Sequence, residues 1–551
     1  MKKKLLLLVT CFTALFAVLA ACGNSYDGSN QTDADANLAD STDVVDGVSP
    51  LGIAGFPLAE PLDVLVYGPH VGNADWGDMA FWQALSEDTN INFTFDTPPN
   101  EDFITSLNLT IVTSDFPDVF FGSSLTAAQQ MELGEDGILL PLQDLIREHA
   151  PNLQRLMDEN PDIVNSITAP DGNIYALPTF SHNFDAIWPV GPVYYNGLWL
   201  EALNADVPET LDEFTDLMLR FRDEMPEILG VDRVFPISAT DDMMWLRAWM
   251  LSFWGMTARA SQATDGVVVH NVTTENYRAY LEWMHWAMQE DILHPEILNL
   301  SGDAHGALGA DNLVGFFQAW HSHHFLQTDY EQAMTNPMVR PIISEYSPNG
   351  VLPRSPGFSF GQFAITYRAA DPVALIRIAD WLYTVEGSTF ANYGPENAFW
   401  RYDTHAVTGE QVRVLAGNED VSRGLFTPFY GFPAPTLGTP LRERVLTDVY
   451  TDFDPTFIEW LETETNATIG TYGVVAFPPA MLTFDEVLEI MALSADLNIE
   501  IDRMEAEFIL GTTPINDDTW EAFQQILTSI GIERFVEIQQ GAHSRWLANS
   551  Q

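Results

Sequence analysis

The chain has 551 residues, 46% hydrophobic and 18% charged, enough to bury two to four domain-sized cores and too apolar to be disordered in the main. Its 78 Asp and Glu face 23 Lys and Arg, a formal charge of -55 that makes nucleic acid and acidic lipid poor partners.

Met1 to Lys4 form a positive segment, Leu5 to Val18 an apolar one, and Leu19, Ala20 and Ala21 a small-residue site, the layout of a secretory signal over residues 1–21. The following Cys22 and the residues before it resemble the bacterial lipobox, which implies lipidation at Cys22 and a membrane anchor there. Cys11 leaves with the signal, so no intramolecular disulfide is expected. All three lysines leave too: the remaining chain sets 20 Arg against 78 acids, a charge of -58. Arginine keeps its charge past pH ~12, whereas lysine titrates near ~10.4. The composition therefore reads as that of an extracytoplasmic protein in an alkaline, saline medium. Residues 22–60 are rich in Gly, Ser, Asn, Asp and Ala and cannot bury enough surface to order themselves, so they read as an acidic tether with an r.m.s. reach of ~35 Å.

The folded part opens with an apolar run, Leu62 to Tyr67, that reads as a buried strand. Helical spacing over Trp76 to Asp88, alternation at Ile91, Phe93 and Phe95, a helix over Glu101 to Thr113 and a strand ending at Phe121 then imply parallel pairing with right-handed crossovers. Further helices are expected at 142–150, 152–159, 210–225, 243–254, 274–290 and 372–385, and strands at 193–196, 314–320 and 358–367. The last quarter predicts helices over 484–510, 517–530 and 533–547.

The stretch EDFITSLNLTIVTSDFPDVFFG (Glu101 to Gly122) resembles the start of extracellular solute-binding proteins. GILLPL (137–142), APDGNIYALP (169–178), YYNGLWL (194–200), PETLDEF (208–214), DWL and NYG (380–382, 392–394) and the stretch from Phe508 to Trp546 are similar to the long lipoprotein branch of those proteins. The resemblance implies an α/β, two-lobed, periplasmic-binding-protein-like fold with interleaved lobes, a helix-rich C-terminal part, and a role in an ABC-type oligosaccharide importer. The expected division is 61–180 plus about 320–375 for the first lobe and about 181–319 plus 376–551 for the second.

Sugar binding needs flat apolar faces and planar polar groups in a concave site. In doubly wound sheets the loops after strand carboxyl ends face the crevice, which selects Asn73, Asp75 and Trp76 after the first strand and Ser123 and Ser124 after the third. The resemblance adds His182 and Tyr195 at the first lobe crossing and Trp320 as a stacking aromatic. Trp254 is selected because Gly255 suggests close backbone approach. His321, His323 and His324 could hold zinc, but a polar turn is the commoner reading, so His323 is assigned to ligand hydrogen bonding and no metal is expected. Arg354 and Arg401 are the cations to test for an acidic sugar. Gly-x-Ser-x-Gly, Walker and His-Glu-x-x-His motifs are absent, and no cofactor or catalytic residue is expected. The function expected is a lipid-anchored, monomeric receptor on the outer face of the cytoplasmic membrane that delivers an oligosaccharide to ABC permease subunits. The alternatives are a surface glycan-degrading enzyme and a glycan-sensing lipoprotein.

Overall fold

The computed structural model describes residues 47–180, 184–189, 191–240, 243–404, 409, 411–416, 422–428 and 455–549. Cys22, the signal segment, residues 22–46 of the expected tether and His182 lie outside the described residues. Residues 47–60, expected in that tether, are instead folded, because Ile53 and Phe56 supply apolar side chains that are buried in the first core.

Strands β1 (Leu62–Tyr67), β2 (Ile91–Asp96) and β3 (Val119–Phe121) are joined by helices Ala80–Thr89 and Phe103–Thr113 and pair in parallel, with β1 in the middle. Four helices between 127 and 167 lead to β4 (Leu177–Phe180), after which the chain leaves this sheet. Beyond it lie β5 (Val193–Tyr195), β6 (Phe235–Ile237), the hairpin of β7 (Ser261–Thr264) and β8 (Val267–His270), and β9 (Val314–Gln318). After β10 (Leu352–Pro353) the chain returns as β11 (Phe358–Ile365), which inserts antiparallel between β3 and β4 to give the order β2-β1-β3-β11-β4. A second sheet has the order β5-β9-β6, with β5 antiparallel and β6 parallel to β9.

Because strand side chains alternate, the first sheet buries both faces. Val64, Val66, Val119, Phe121, Phe363 and Ile365 enter one apolar cluster, while their neighbours Tyr67, Phe120 and Ala364 enter another. Full burial of each large apolar side chain contributes ~1.5–3 kcal/mol. The second sheet is covered likewise: Val314, Phe316 and Phe317 of β9 are fully buried in a separate core with Tyr194, Tyr195 and Phe214.

These cores divide the chain differently from the sequence expectation. Phe325, Ala333, Met338, Val339, Ile342 and Leu352, expected in the first lobe, fill the second core. Leu375, Ile376, Trp381 and Phe390, mostly expected in the second, fill the first. The connection after β9 runs back over its own sheet before it crosses, and the helices after β11, Pro372–Leu382 and Val385–Tyr393, cover the sheet that β11 has just joined. The C-terminal helices Phe484–Leu510, Asp517–Ile530 and Ile532–Asn549 pack on the second core through Leu497, Ile501, Phe508 and Phe523. The last of them also reaches the first lobe, where Trp546 Nε1 donates to Ser166 Oγ at 3.0 Å, and Met481, just before the first, enters the cluster of Tyr67 and Phe120. Among the described residues no helix is long and apolar enough to cross a membrane.

Candidate functional site

β4 runs into the first crossing, and β11 starts directly after the second, at 354–357. Antiparallel pairing of β11 with β3 and β4 therefore sets the carboxyl ends of β1, β3 and β4 on the edge that borders the crossings. In the second sheet, β5 starts directly after the first crossing, and its antiparallel pairing with β9 sets the carboxyl ends of β9 and β6 on that same border. Strand carboxyl ends of both lobes thus flank the crossings, where an α/β sheet offers its loops to a ligand.

On the first-lobe edge, β1 gives way at Gly68, where a Cβ would meet the Phe121 carbonyl oxygen at 2.4 Å, so only glycine lets β1 and β3 end side by side. Trp76, 2% exposed, stacks on Trp82 at 5.4 Å and belongs to the first core; Asp75 beside it is exposed. Asn73 is pinned to the 422–424 segment, its amide donating to the Gly424 carbonyl at 2.7 Å and its side-chain oxygen accepting from Ser422 Oγ at 2.6 Å. Ser123 is buried and donates to the Tyr67 carbonyl at 3.2 Å, stapling the turn after β3 to the end of β1. The exposed hydroxyl here is that of Ser124, which accepts from Gln362 Nε2 at 3.1 Å.

On the second-lobe edge, Trp320 stands 54% exposed just past β9. Trp188, from the first crossing, lies 6.1 Å from it and is itself buried, its Nε1 donating to Thr465 Oγ1 at 2.9 Å. Trp188 was not selected from the sequence. Neither were Met244 and Trp245, which follow β6 on the same border with Met244 exposed. The strand-end rule would have found the latter two, but β6 spans three residues, too few to show a period. Tyr195 and Trp254 are placed in the core. The Tyr195 ring packs 5.0 Å from Phe316, and burial pushes its hydroxyl far above the usual tyrosine range. Trp254 packs 5.5 Å from Tyr280 and 5.8 Å from Trp283. The close approach that Gly255 allows is to the Tyr346 carbonyl, 2.8 Å from where its Cβ would be.

His323 is half-buried after Trp320; burial and the adjacent His324 push its pKa down to about 4, so it is neutral at pH 7 and offers hydrogen bonds without charge. His321, His323 and His324 come together as a group of three possible metal ligands. Arg354 is exposed on the second crossing, whereas Arg401 pairs with Asp403 on a hairpin of the first lobe. A cavity of about 620 Å³ opens beside that hairpin, between Trp381, Trp400, Tyr402 and Arg413. Its lining comes from one lobe, so it cannot grip a ligand from both.

The fold is that of the two-lobed solute-binding proteins, and its likeness to known members extends over nearly the whole chain. Fructooligosaccharide ABC transporter substrate-binding protein FusA of Streptococcus pneumoniae is 23% identical, covering 98% of this chain and 97% of its own. The structure of FusA in complex with kestose superposes with a TM-score of 0.64 at 18% identity, over 88% of this chain and all of that one. An ABC-transporter-associated, HMO-binding solute-binding protein from Bifidobacterium longum infantis reaches 0.70 at 17% identity, over 89% and 99%. No family model matches the chain.

Proposed function

We propose that this chain is the solute-binding protein of an ABC-type importer, which captures an oligosaccharide between its lobes and passes it to a membrane permease. The observation that carries the reading is the end-to-end similarity to FusA, 98% of this chain against 97% of that one. The site supports it: Trp320 offers an exposed apolar face on one lobe, and Asp75 and Ser124 offer exposed polar groups on the other. A sugar that touches both lip regions does so fully only when they approach, so its differential affinity shifts the population toward the closed form. Cys22 carries the lipid in this reading, the protein works as a monomer outside the cytoplasmic membrane, and the acidic tether gives it reach. Short fructooligosaccharides are the first ligands to try, with Arg354 as the available partner for an acidic one. Calorimetric titration with fructooligosaccharides and with neutral and acidic plant oligosaccharides, at pH 7 and pH 10, tests the proposal. Saturable heat with one class is expected; no heat with any of them overturns the oligosaccharide assignment.

A further inference from the structure

The turn after Trp320 carries a cluster of three histidines. His321 precedes the short helix Ser322–Leu326, and His323 and His324 lie within it, so the helix turn gathers three rings that sequence spacing alone leaves unfixed. One ligand atom from each ring lies within 4.8 Å of the others. The ring centres of His323 and His324 are 4.0 Å apart, and His321 is 5.5 and 5.4 Å from them. Nδ1 of His323 is buried and makes no hydrogen bond, an arrangement that costs ~1–3 kcal/mol unless another acceptor of its lone pair is present. Phe457 and Tyr330 wall the cluster at 5.2 and 4.8 Å from the His323 ring, while His324 is exposed and leaves a way in.

Three imidazole nitrogens are a donor set of borderline-soft divalent ions, and in a tetrahedral site with metal–nitrogen bonds of ~2.0–2.1 Å the nitrogens stand roughly 3.4 Å apart. The ligand atoms now lie within 4.8 Å of one another, so binding requires the rings to draw closer together. We propose that His321, His323 and His324 bind one divalent transition-metal ion of the zinc class, with water completing its coordination. The ion ties the turn that carries Trp320 into one rigid piece. The inference does not rest on the sugar reading, because it is argued from the grouping of three ring nitrogens and not from any sugar contact.

The test must separate this site from weak binding to the many surface carboxylates, which prefer hard cations such as magnesium. Full-length protein stripped of metal is titrated with Co²⁺ in excess Mg²⁺ and followed by visible absorption, then back-titrated with Zn²⁺. One equivalent of Co²⁺ with the intense bands of a tetrahedral nitrogen site, displaced by one equivalent of Zn²⁺, is expected. His324→Ala, at an exposed position, and His323→Ala should each weaken binding on the order of a hundredfold. Absence of those bands in the unmodified protein overturns the proposal, and so does a titration that both variants leave unchanged. Neither result bears on oligosaccharide calorimetry, so failure here and failure of the transport reading are distinguishable.

Discussion

Replacing Trp320 by alanine removes an exposed ring whose loss leaves no cavity, so stability should stay within about 0.5 kcal/mol of the parent. If that ring is the sugar platform, its loss should weaken oligosaccharide binding at least about tenfold, or ~1.4 kcal/mol. Trp254→Ala should do the reverse, costing ~3–5 kcal/mol of stability because it empties a site between Tyr280 and Trp283. Urea denaturation and calorimetry on both variants check the pair; an unchanged affinity in Trp320→Ala would remove the platform from the binding reading. The contrast shows what could be read at the level of single residues. Strand-end topology selects the turns that carry Asp75 and Ser124, the resemblance selects Trp320, and all three are exposed. It does not tell which ring of a turn faces solvent, because an aromatic side chain satisfies a core and a cleft equally well. That choice is made by long-range packing, as when Trp82 captures Trp76.

Among the elements, the long helix Phe484–Leu510 is both the most legible and the most firmly tied. Its boundaries coincide with those expected, since Thr483 and Glu486 form a capping box at its start and Gly511, at φ +74°, ends it. The hairpin of β7 and β8 was missed although Asp265-Gly266 is a strong turn pair, because Ser261 to Thr264 shows no apolar alternation. The tie of the long helix to its lobe could not be read either, because its partners lie more than two hundred residues apart. Glu505 is buried and accepts from Arg247 Nε at 2.7 Å, Arg259 Nη1 at 3.0 Å and the Tyr277 hydroxyl at 2.6 Å. Burial alone would raise its pKa, but the charges of Arg247 and Arg259 and the Tyr277 hydrogen bond outweigh it and bring the carboxyl down to about 2. Glu505→Gln leaves two mutually repelling guanidinium groups facing each other without that carboxylate, and should cost ~3–5 kcal/mol at pH 7. Because the folded pKa lies below the unfolded value of ~4.3, this stabilisation is complete above that value and is lost as the pH falls through about 2. The gap between parent and variant in urea denaturation should therefore close between pH 4 and pH 2. A constant gap would assign the loss to packing and not to charge.

For the whole molecule, the lack of lysine beyond Lys4 sets how stability responds to alkali. Ion pairs such as Arg222–Glu290 at 2.7 Å, Arg278–Asp517 at 2.9 Å and Arg534–Glu489 at 2.8 Å use guanidinium groups, which keep their protons past pH ~12. The range from pH 8 to 10 lies above the ordinary pKa values of histidine and carboxyl side chains, ~6.5 and ~4, and below that of arginine, so neither the ion pairs nor the self-repulsion of the net charge should change much as the pH climbs toward 10. The first groups to act are buried tyrosines. Burial raises Tyr194, Tyr195, Tyr277 and Tyr383 well above the usual range, with the nearby carboxylates of Glu464, Glu505 and Asp380 adding to it for Tyr194, Tyr277 and Tyr383. The unfolded chain ionises these groups near ~10, so their contribution is intact below that pH and is lost above it, at ~1.4 kcal/mol per pH unit for each tyrosine. The free energy of unfolding should therefore be level from pH 8 to about 9.5 and fall steeply beyond pH 10. Tyrosinate absorbance from the core should appear only together with unfolding. Urea denaturation across this range, read beside ultraviolet absorbance, checks both. A steady decline already between pH 8 and 9.5 would mean that other groups set the alkaline limit, and the all-arginine composition would lose its physical role.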